Sequence, residues 1–359
     1  MVLRIGVLSA VRHATDYLRI LGQHPRVELV AVAEEPSAPD WVRGDSRAAA
    51  ERAGVRYTED VEEILDPQRV DLVVVCGAPT RHARLALAAL LAGVDVLVDK
   101  PVATTLDDAD ALVAAAEASG RVCAVVNRTH APALRRTRAW VDAGHVGLPR
   151  HVDMEFLASG AHFATSVERP ELVVDPALSG GGEVLNFLGY CVDAIGYLTG
   201  LPVLEVHAFT GALFSELHAE HDVEDSAVVS LLLDRGVTAT VTLGRVPFAP
   251  GTTPTTSSLR LLGSHGHAVA DDDKPAVALF GPDGAGALVA DAGQVALERY
   301  LHHVVESLLA GEVPDYTVHE ARDAIAVIDA AYRSARSGDV VALSHAAPPA
   351  PTAGPHLAG

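Results

Sequence analysis

No stretch of this 359-residue chain holds the ~20 consecutive apolar residues of a membrane-spanning helix. None reads as a cleavable leader either: the opening MVLRIGVLSA has the pattern of a β-strand, with no charged segment ahead of it. A soluble, cytoplasmic protein is expected. Positive charge is scarce, with 27 Lys and Arg against 47 Asp and Glu and a formal net charge of -20. A surface of that sign repels phosphate backbones and anionic bilayers, so neither nucleic acid nor a membrane is expected as a partner. Cysteine is nearly absent. Cys76, Cys123 and Cys191 are a scattered, odd-numbered set without metal-ligand spacing. Cys76 and Cys123 lie in apolar strand-like runs, as buried reduced thiols do.

What is present is length enough for two domains and a clear change of texture between them. The first third alternates Val-rich runs (VLRIGVLS, VELVAVAE, VDLVVVCGAP, VDVLVDKP, RVCAVVN) with helical patterns such as TRHARLALAALLAG and TLDDADALVAAAEASG. In the second of these, Thr105 stands as N-cap with Asp108 at the capping-box position. Strand, helix, strand repeated in this way means a doubly wound parallel sheet. We expect this domain over residues 1–126. Residues 127–345 read differently: a helix PALRRTRAWVDAG, the segment GGGEVLNFLGYCVDAIGYLTG, strand-like runs joined through DRG and SHG, and two late helices. Runs joined so tightly are hairpins, hence a mostly antiparallel sheet. The Pro- and Ala-rich end, 346–359, is expected to be a disordered tail.

Between the first strand and the first helix stands IGVLSAVRHA, where a dinucleotide-binding turn would carry three glycines. Those positions are Ser9, Val11 and Ala14. Alanine is tolerated at the third, serine makes the turn at some conformational cost, and a β-branched Val11 crowds a diphosphate unless the loop is longer or rotated. Two features favour a nucleotide nonetheless. AVAEE puts Glu34 at the end of the second strand, where an acid accepts ribose hydroxyls and repels a 2′-phosphate, which points to NAD over NADP. Arg12 and His13 open the helix, where the positive dipole end attracts anions. With Ser9 and Ala10 they are the candidate cofactor contacts of this turn.

VDVLVDKPVATTL ends the fourth run with Lys100-Pro101, placing a lysine at the crevice end of a parallel strand. It resembles the Glu-Lys-Pro signature of the Gfo/Idh/MocA family, with Asp99 in place of Glu. The resemblance runs from Arg4 to about Leu343 through CGAPTRHARLALAALLAGVDVLVDKP, APALRRTRAWVDAGHVGLPRHV, SGGGEVLNFLGYCVDAIGYLTG, VEDSAVVSLLLDRGVTATV and AAYRSARSGDVVAL. It implies an α/β fold in which a Rossmann domain is followed by an α/β domain with an open, mostly antiparallel sheet. That sheet is often the face of a homo-dimer or homo-tetramer. It also implies hydride transfer between a nicotinamide cofactor and a hydroxyl-bearing carbon of a sugar, cyclitol or related polyol.

The family's Asp-x-x-x-His pair reads Asn186 and Tyr190 here, with Asp193 one turn on. All three share one helix face. Asn186 does not titrate but orients a hydroxyl. Tyr190 is expected to act as acid/base with its pKa pulled down by Lys100, its electrostatic activator. Asn186, Asp193 and Arg128 are the candidate substrate contacts. Pro79, Thr80 and His82 follow the third Val-rich run, Asp99 and Lys100 end the fourth and Asn127 ends the fifth. These are the further candidate cofactor contacts. Arg245 reads as a solvated strand-end cation, the His218-x-x-His221 pair as a surface turn, and His302 as helix surface or packing. No metal is expected. Asn for Asp, Tyr for His and the missing glycines leave two alternatives: a redox-inactive ligand-binding or regulatory homologue, and NAD-assisted elimination or epimerisation without net redox.

Overall fold

Val-rich runs with no polar face can only be covered on both sides, and they form the centre of the first domain. The structure is a computed structural model that describes residues 1–160, 169–247, 255–271, 276–282, 284–289 and 295–344. Six parallel strands, β1 (Leu3–Ala10), β2 (Val27–Ala33), β3 (Tyr57–Thr58), β4 (Leu72–Cys76), β5 (Asp95–Val98) and β6 (Cys123–Val125), lie in the order β3-β2-β1-β4-β5-β6. Every residue of β4 is buried. Helices Ala14–Gln23, Asp40–Ala53, Pro79–Leu91 and Leu106–Ser119 connect successive strands, with a short turn of helix at Glu62–Leu65. Thr105 caps the Leu106–Ser119 helix by accepting the Asp108 N–H, as its sequence suggests. Strand order reverses between β1 and β4, so their carboxyl ends open the crevice that such sheets use for ligands. The two-residue β3 is too short to stand out in a hydropathy pattern, and the sequence reading missed it.

After the helix Pro132–Asp142 the chain builds a nine-stranded sheet ordered β14-β13-β12-β11-β7-β10-β9-β8-β15. Its strands are β7 (Pro149–Ser159), β8 (Val203–Gly211), β9 (Ser226–Leu233), β10 (Thr238–Val246), β11 (Thr255–Gly263), β12 (His267–Asp271), β13 (Ala276–Gly281), β14 (Gly284–Val289) and β15 (Val341–Ala342). All neighbours are antiparallel except β7 and β10. The DRG turn joins β9 to β10, with Arg235 and Gly236 at φ 58° and 72°, and the SHG turn joins β11 to β12. The hairpin of β13 and β14 and the edge strand β15 went unread in the sequence. Alternation buries Met154, Phe156, Val229, Leu231, Val241 and Leu243 on one face, beneath the helices Glu183–Thr199 and Val318–Ser337. Phe209, Val228, Leu262 and Phe280 stand exposed on the strands. All three cysteines are buried and free. Among the described residues no helix is long and apolar enough to cross a membrane. The tail at 346–359 lies outside the described residues.

Two short helices, Glu171–Val174 and Pro176–Ser179, link β7's side of the molecule to the Glu183–Thr199 helix. Leu172, Val173 and Val174 are buried in a cluster with Val11, Ala38, Val42, Ala78 and Val223. The second domain thereby closes over the crevice end of the first. Thr80 fastens the same contact by donating from Oγ1 to the carbonyls of Ala177 (3.0 Å) and Leu178 (3.2 Å).

Candidate active site

The β1 turn achieves without glycine what glycine ordinarily supplies. Ser9 (φ 60°) and His13 (φ 53°) both take the left-handed conformation, which costs an L-residue about 1–2 kcal/mol. The valine at the second glycine position turns away from the loop: Val11 is buried in the apolar cluster with Leu172 and Val173. That is the rotated arrangement the sequence left open. The Ala10 N–H donates to Ser46 Oγ (2.9 Å), which in turn donates to Glu34 Oε2 (3.1 Å). Glu34 is fully buried and its other oxygen accepts from Arg81 (2.6 Å). Arg81 also reaches Glu35 (2.7 Å) and Ser9 Oγ (3.3 Å). Arg81 was missed in the sequence, although the PTRH turn that carries it was noted.

Arg12 is the buried cation of the crevice, 2 % exposed. Its guanidinium donates to Asn186 Oδ1 (2.7 Å), and its Nε is buried with no partner among the described residues. Asp99 sits beneath as a hub: it accepts from Tyr17 Oη (2.7 Å) and the Lys100 N–H (2.8 Å) and pairs with His13 Nδ1 (2.8 Å). Burial pushes the Asp99 carboxyl up, but His13, Arg12 and His82 outweigh it and hold it well below the usual range. Asp99 and His13 thus brace the turn.

The helix Glu183–Thr199 begins without a cap of its own, and its first N–H groups are met from elsewhere. Glu183 N–H donates to the Glu224 carbonyl (3.0 Å), Val184 N–H to Glu224 Oε1 (2.9 Å) and Leu185 N–H to Tyr332 Oη (3.3 Å). This close docking explains the glycine triplet. A Cβ at Gly180 or Gly181 would stand 2.5 Å from Thr104 or Tyr332, and one at Gly182 would strike the Glu224 carbonyl. Next comes Glu183, fully buried and unread in the sequence. It accepts from Arg245 Nε (2.6 Å) and Asn186 Nδ2 (2.7 Å) and meets His218 Nε2 (3.1 Å). Burial pushes its pKa up, yet Arg245, His218 and Asn186 together bring it down to about 2. Two sequence readings are corrected here. Arg245 is buried, not solvated, and His218 lies wholly inside, not on a surface turn, because each partners this acid.

Lys100 and Tyr190 meet. Lys100 Nζ donates to the Asn186 carbonyl (2.9 Å) and Oδ1 (2.6 Å) and stands 4.7 Å from the centre of the Tyr190 ring. The ammonium thus faces the ring's π-cloud. The expected pKa effect is reversed. Burial, reinforced by Asp99, pushes the Tyr190 phenol up despite Arg128 and Arg12. Burial and the charge of Arg12 bring Lys100 well below the usual ammonium value. Lys100 thereby holds its proton less firmly than an ordinary ammonium, while Tyr190 holds its own more firmly. Arg128 lies over Phe156 (5.4 Å) and Tyr190 (5.9 Å). Asp193 accepts from Tyr316 Oη, and burial raises its pKa to about 8.

Cavities of about 30 and 20 Å³ flank Tyr190, one bordered by Lys100, Asn186 and Asp193, the other by Arg128 and Phe156. A cavity of about 810 Å³ lies elsewhere, between Tyr197, Arg333 and β15. It touches the crevice only through Asp193 and Tyr316. Among the described residues, small cavities border the chemically equipped groups, and the roomy cavity is lined by none of Arg12, Lys100, Arg128 and Arg245.

Residues 3–127 match the Oxidoreductase family, NAD-binding Rossmann fold, and residues 134–269 match the GFO/IDH/MocA C-terminal domain. The chain belongs to the Gfo/Idh/MocA oxidoreductase family. Inositol 2-dehydrogenase 2 of Saccharopolyspora erythraea is 27% identical over 373 residues, 98% of each chain. YrbE of Bacillus subtilis, an uncharacterised oxidoreductase, is 23% identical, covering 75% of this chain and 74% of its own. The structure of GenD2 from gentamicin A biosynthesis, in complex with NAD, superposes with a TM-score of 0.79 at 25% identity, covering 96% of this chain and 97% of that one.

This Gfo/Idh/MocA chain has the NAD-binding Rossmann fold, and the residues at the crevice fit a dinucleotide. The Nε of Arg12 is a buried donor with no partner among the described residues, and it lies just ahead of the N-terminus of the Ala14–Gln23 helix, an end that favours anions. Glu34 directly follows β2, buried between Ser46 and Arg81, where sheets of this kind carry an acid. The remaining candidates are engaged within the protein. The ring nitrogens of His82 lie 2.7 Å from the Pro101 carbonyl and 2.9 Å from the Gly77 carbonyl. Asn127 closes its own turn with Val125 and Thr129. Pro79 starts its helix, and Thr80 holds the clasp to the second domain.

Proposed function

We propose that this oxidoreductase uses NAD to oxidise, or NADH to reduce, a hydroxyl-bearing carbon of a sugar, cyclitol or related polyol, with Lys100 and Tyr190 as the proton-handling pair. The β1 turn, Arg12 and Glu34 would hold NAD, which when bound would supply a hydride acceptor at its nicotinamide ring. The protein must then move the hydroxyl proton. The observation that carries the reading is Lys100 Nζ, fixed by two bonds to Asn186 and set against the Tyr190 ring. With its pKa lowered, Lys100 takes that proton as a base. Tyr190, kept neutral by burial, donates a hydrogen bond to the substrate oxygen. Asn186 holds Lys100 and Arg12 at one oxygen, while Arg128 and Asp193 border the space beyond. The names of the inositol dehydrogenases among the relatives support the substrate class.

Glu34 supports NAD over NADP, since its buried carboxylate repels a 2′-phosphate. The apolar side chains of Phe209, Val228, Leu262 and Phe280, exposed on the large sheet, support a homo-dimer or homo-tetramer built on it. Calorimetric titration with NAD, followed by turnover assays on Lys100→Met and Tyr190→Phe, tests the reading. NAD binding retained and kcat reduced ~100-fold or more in Lys100→Met is expected. Failure of NAD to bind at millimolar concentration, or full activity in Lys100→Met, overturns it.

A further inference from the structure

Beside the crevice, where the chain leaves β6 for the second domain, three side chains from three separate segments converge. His130 follows β6, His303 lies on the Ala296–Ala310 helix, and Asp315 lies just ahead of the Val318–Ser337 helix. His130 Nε2 stands 3.1 Å from Asp315 Oδ1 and 3.3 Å from Oδ2, and His303 Nε2 stands 3.1 Å from the same Oδ1. All three potential ligand atoms lie within 4.8 Å of one another. We infer that His130, His303 and Asp315 form a binding site for a divalent transition-metal ion such as zinc.

The donor set is two imidazoles and a carboxylate, which suits zinc, cobalt or nickel better than the oxygen-seeking magnesium or calcium. Bonds of about 2.1 Å at tetrahedral angles set neighbouring ligand atoms about 3.4 Å apart. Both histidine-to-carboxylate edges are already near that value. Only the edge between the two imidazoles has to close. His130 is buried, and its ring rests edge-on against Tyr300, so one ligand is pre-positioned.

Two contacts yield to the ion. The Asp315 N–H, which donates to His303 Nε2 at 3.1 Å, turns to water, and the half-exposed Arg135, 3.4 Å from Oδ2, swings outward. The fourth position is open towards the 810 Å³ cavity, whose wall includes Asp315 and Thr129. It takes water or a small ligand.

The test uses untagged, chelator-treated full-length protein titrated with cobalt(II) by visible absorption and with zinc(II) by calorimetry. One equivalent binding with a Kd of about 10 µM or tighter is expected. His303→Ala and Asp315→Asn should each weaken binding at least about tenfold. The neighbouring His302→Ala should not. The rise in melting temperature that zinc gives the parent should vanish in the first two variants. Both substituted side chains are partly exposed, and circular dichroism confirms that the variants fold. Absence of binding at about 1 mM metal, or equal affinity in parent and Asp315→Asn, overturns the inference.

Discussion

Replacing Glu183 by Gln asks whether one buried carboxylate holds the crevice together. Glu183 is wholly buried and is met by Arg245, His218 and Asn186. In Glu183→Gln the shape survives, but Arg245, 2 % exposed, loses the charge that Glu183 sets against it. Breaking such a pair from one side costs about 3–5 kcal/mol. A second route gives a similar figure. A carboxyl at about 2 in the folded state against ~4.3 unfolded is worth of order 3 kcal/mol at neutral pH. Because the folded pKa is the lower one, this stability is complete above about pH 4.3 and fades as pH falls towards 2. At roughly 2–4 °C per kcal/mol for a domain of 150–250 residues, calorimetry should show melting lowered by ~6–20 °C at pH 7, and a shallower acid slope. The double variant Glu183→Gln/Arg245→Met should lose less than the two singles summed. The substitution also frees the Asn186 amide that Glu183 orients, so kcat should fall with stability. A melting temperature within about 2 °C of the parent, or strict additivity in the double variant, refutes the reasoning.

Asp193, raised to about 8, holds a proton in the folded chain that it loses unfolded above ~4. Between those values the unfolded state binds fewer protons and stability declines with pH by of order 1 kcal/mol per unit, so Asp193→Asn should flatten that decline in urea titrations. Ser9→Gly relieves a left-handed serine at φ 60° and should stabilise by ~0.5–1 kcal/mol, read as a higher urea midpoint. In Glu34→Ala, Arg81 loses one of its two acids, and calorimetry should show NAD weakened and NADP strengthened; an unchanged ratio would remove Glu34 from ribose recognition.

Period and punctuation made the fold legible. The Val-rich runs, Thr105 with Asp108, and the DRG and SHG turns all lie where local chemistry dictates. Strands of two residues leave no period to read, which hid β3 and β15. Of the site, Lys100 was legible because the end of a parallel strand faces the crevice, and the chain has only two lysines, Lys100 and Lys274. Glu183, Arg81, Arg245 and His218 were not. Each matters through a partner tens of residues away, and a lone acid after a glycine triplet looks like any first-turn acid. The sign of the Tyr190 shift was missed for a similar reason. Proximity of a cation was foreseen, but burial, which no spacing reveals, decides it.

Val11 and Thr80, both on the nucleotide domain, grip the stretch that leads into the helix bearing Asn186 and Tyr190. A guest that displaces this grip on arriving at the β1 turn is expected to shift the helix bearing Asn186 and Tyr190 as well. Seen in a stopped-flow trace, the step following encounter should level off as nucleotide is raised, its ceiling being the speed at which the grip lets go.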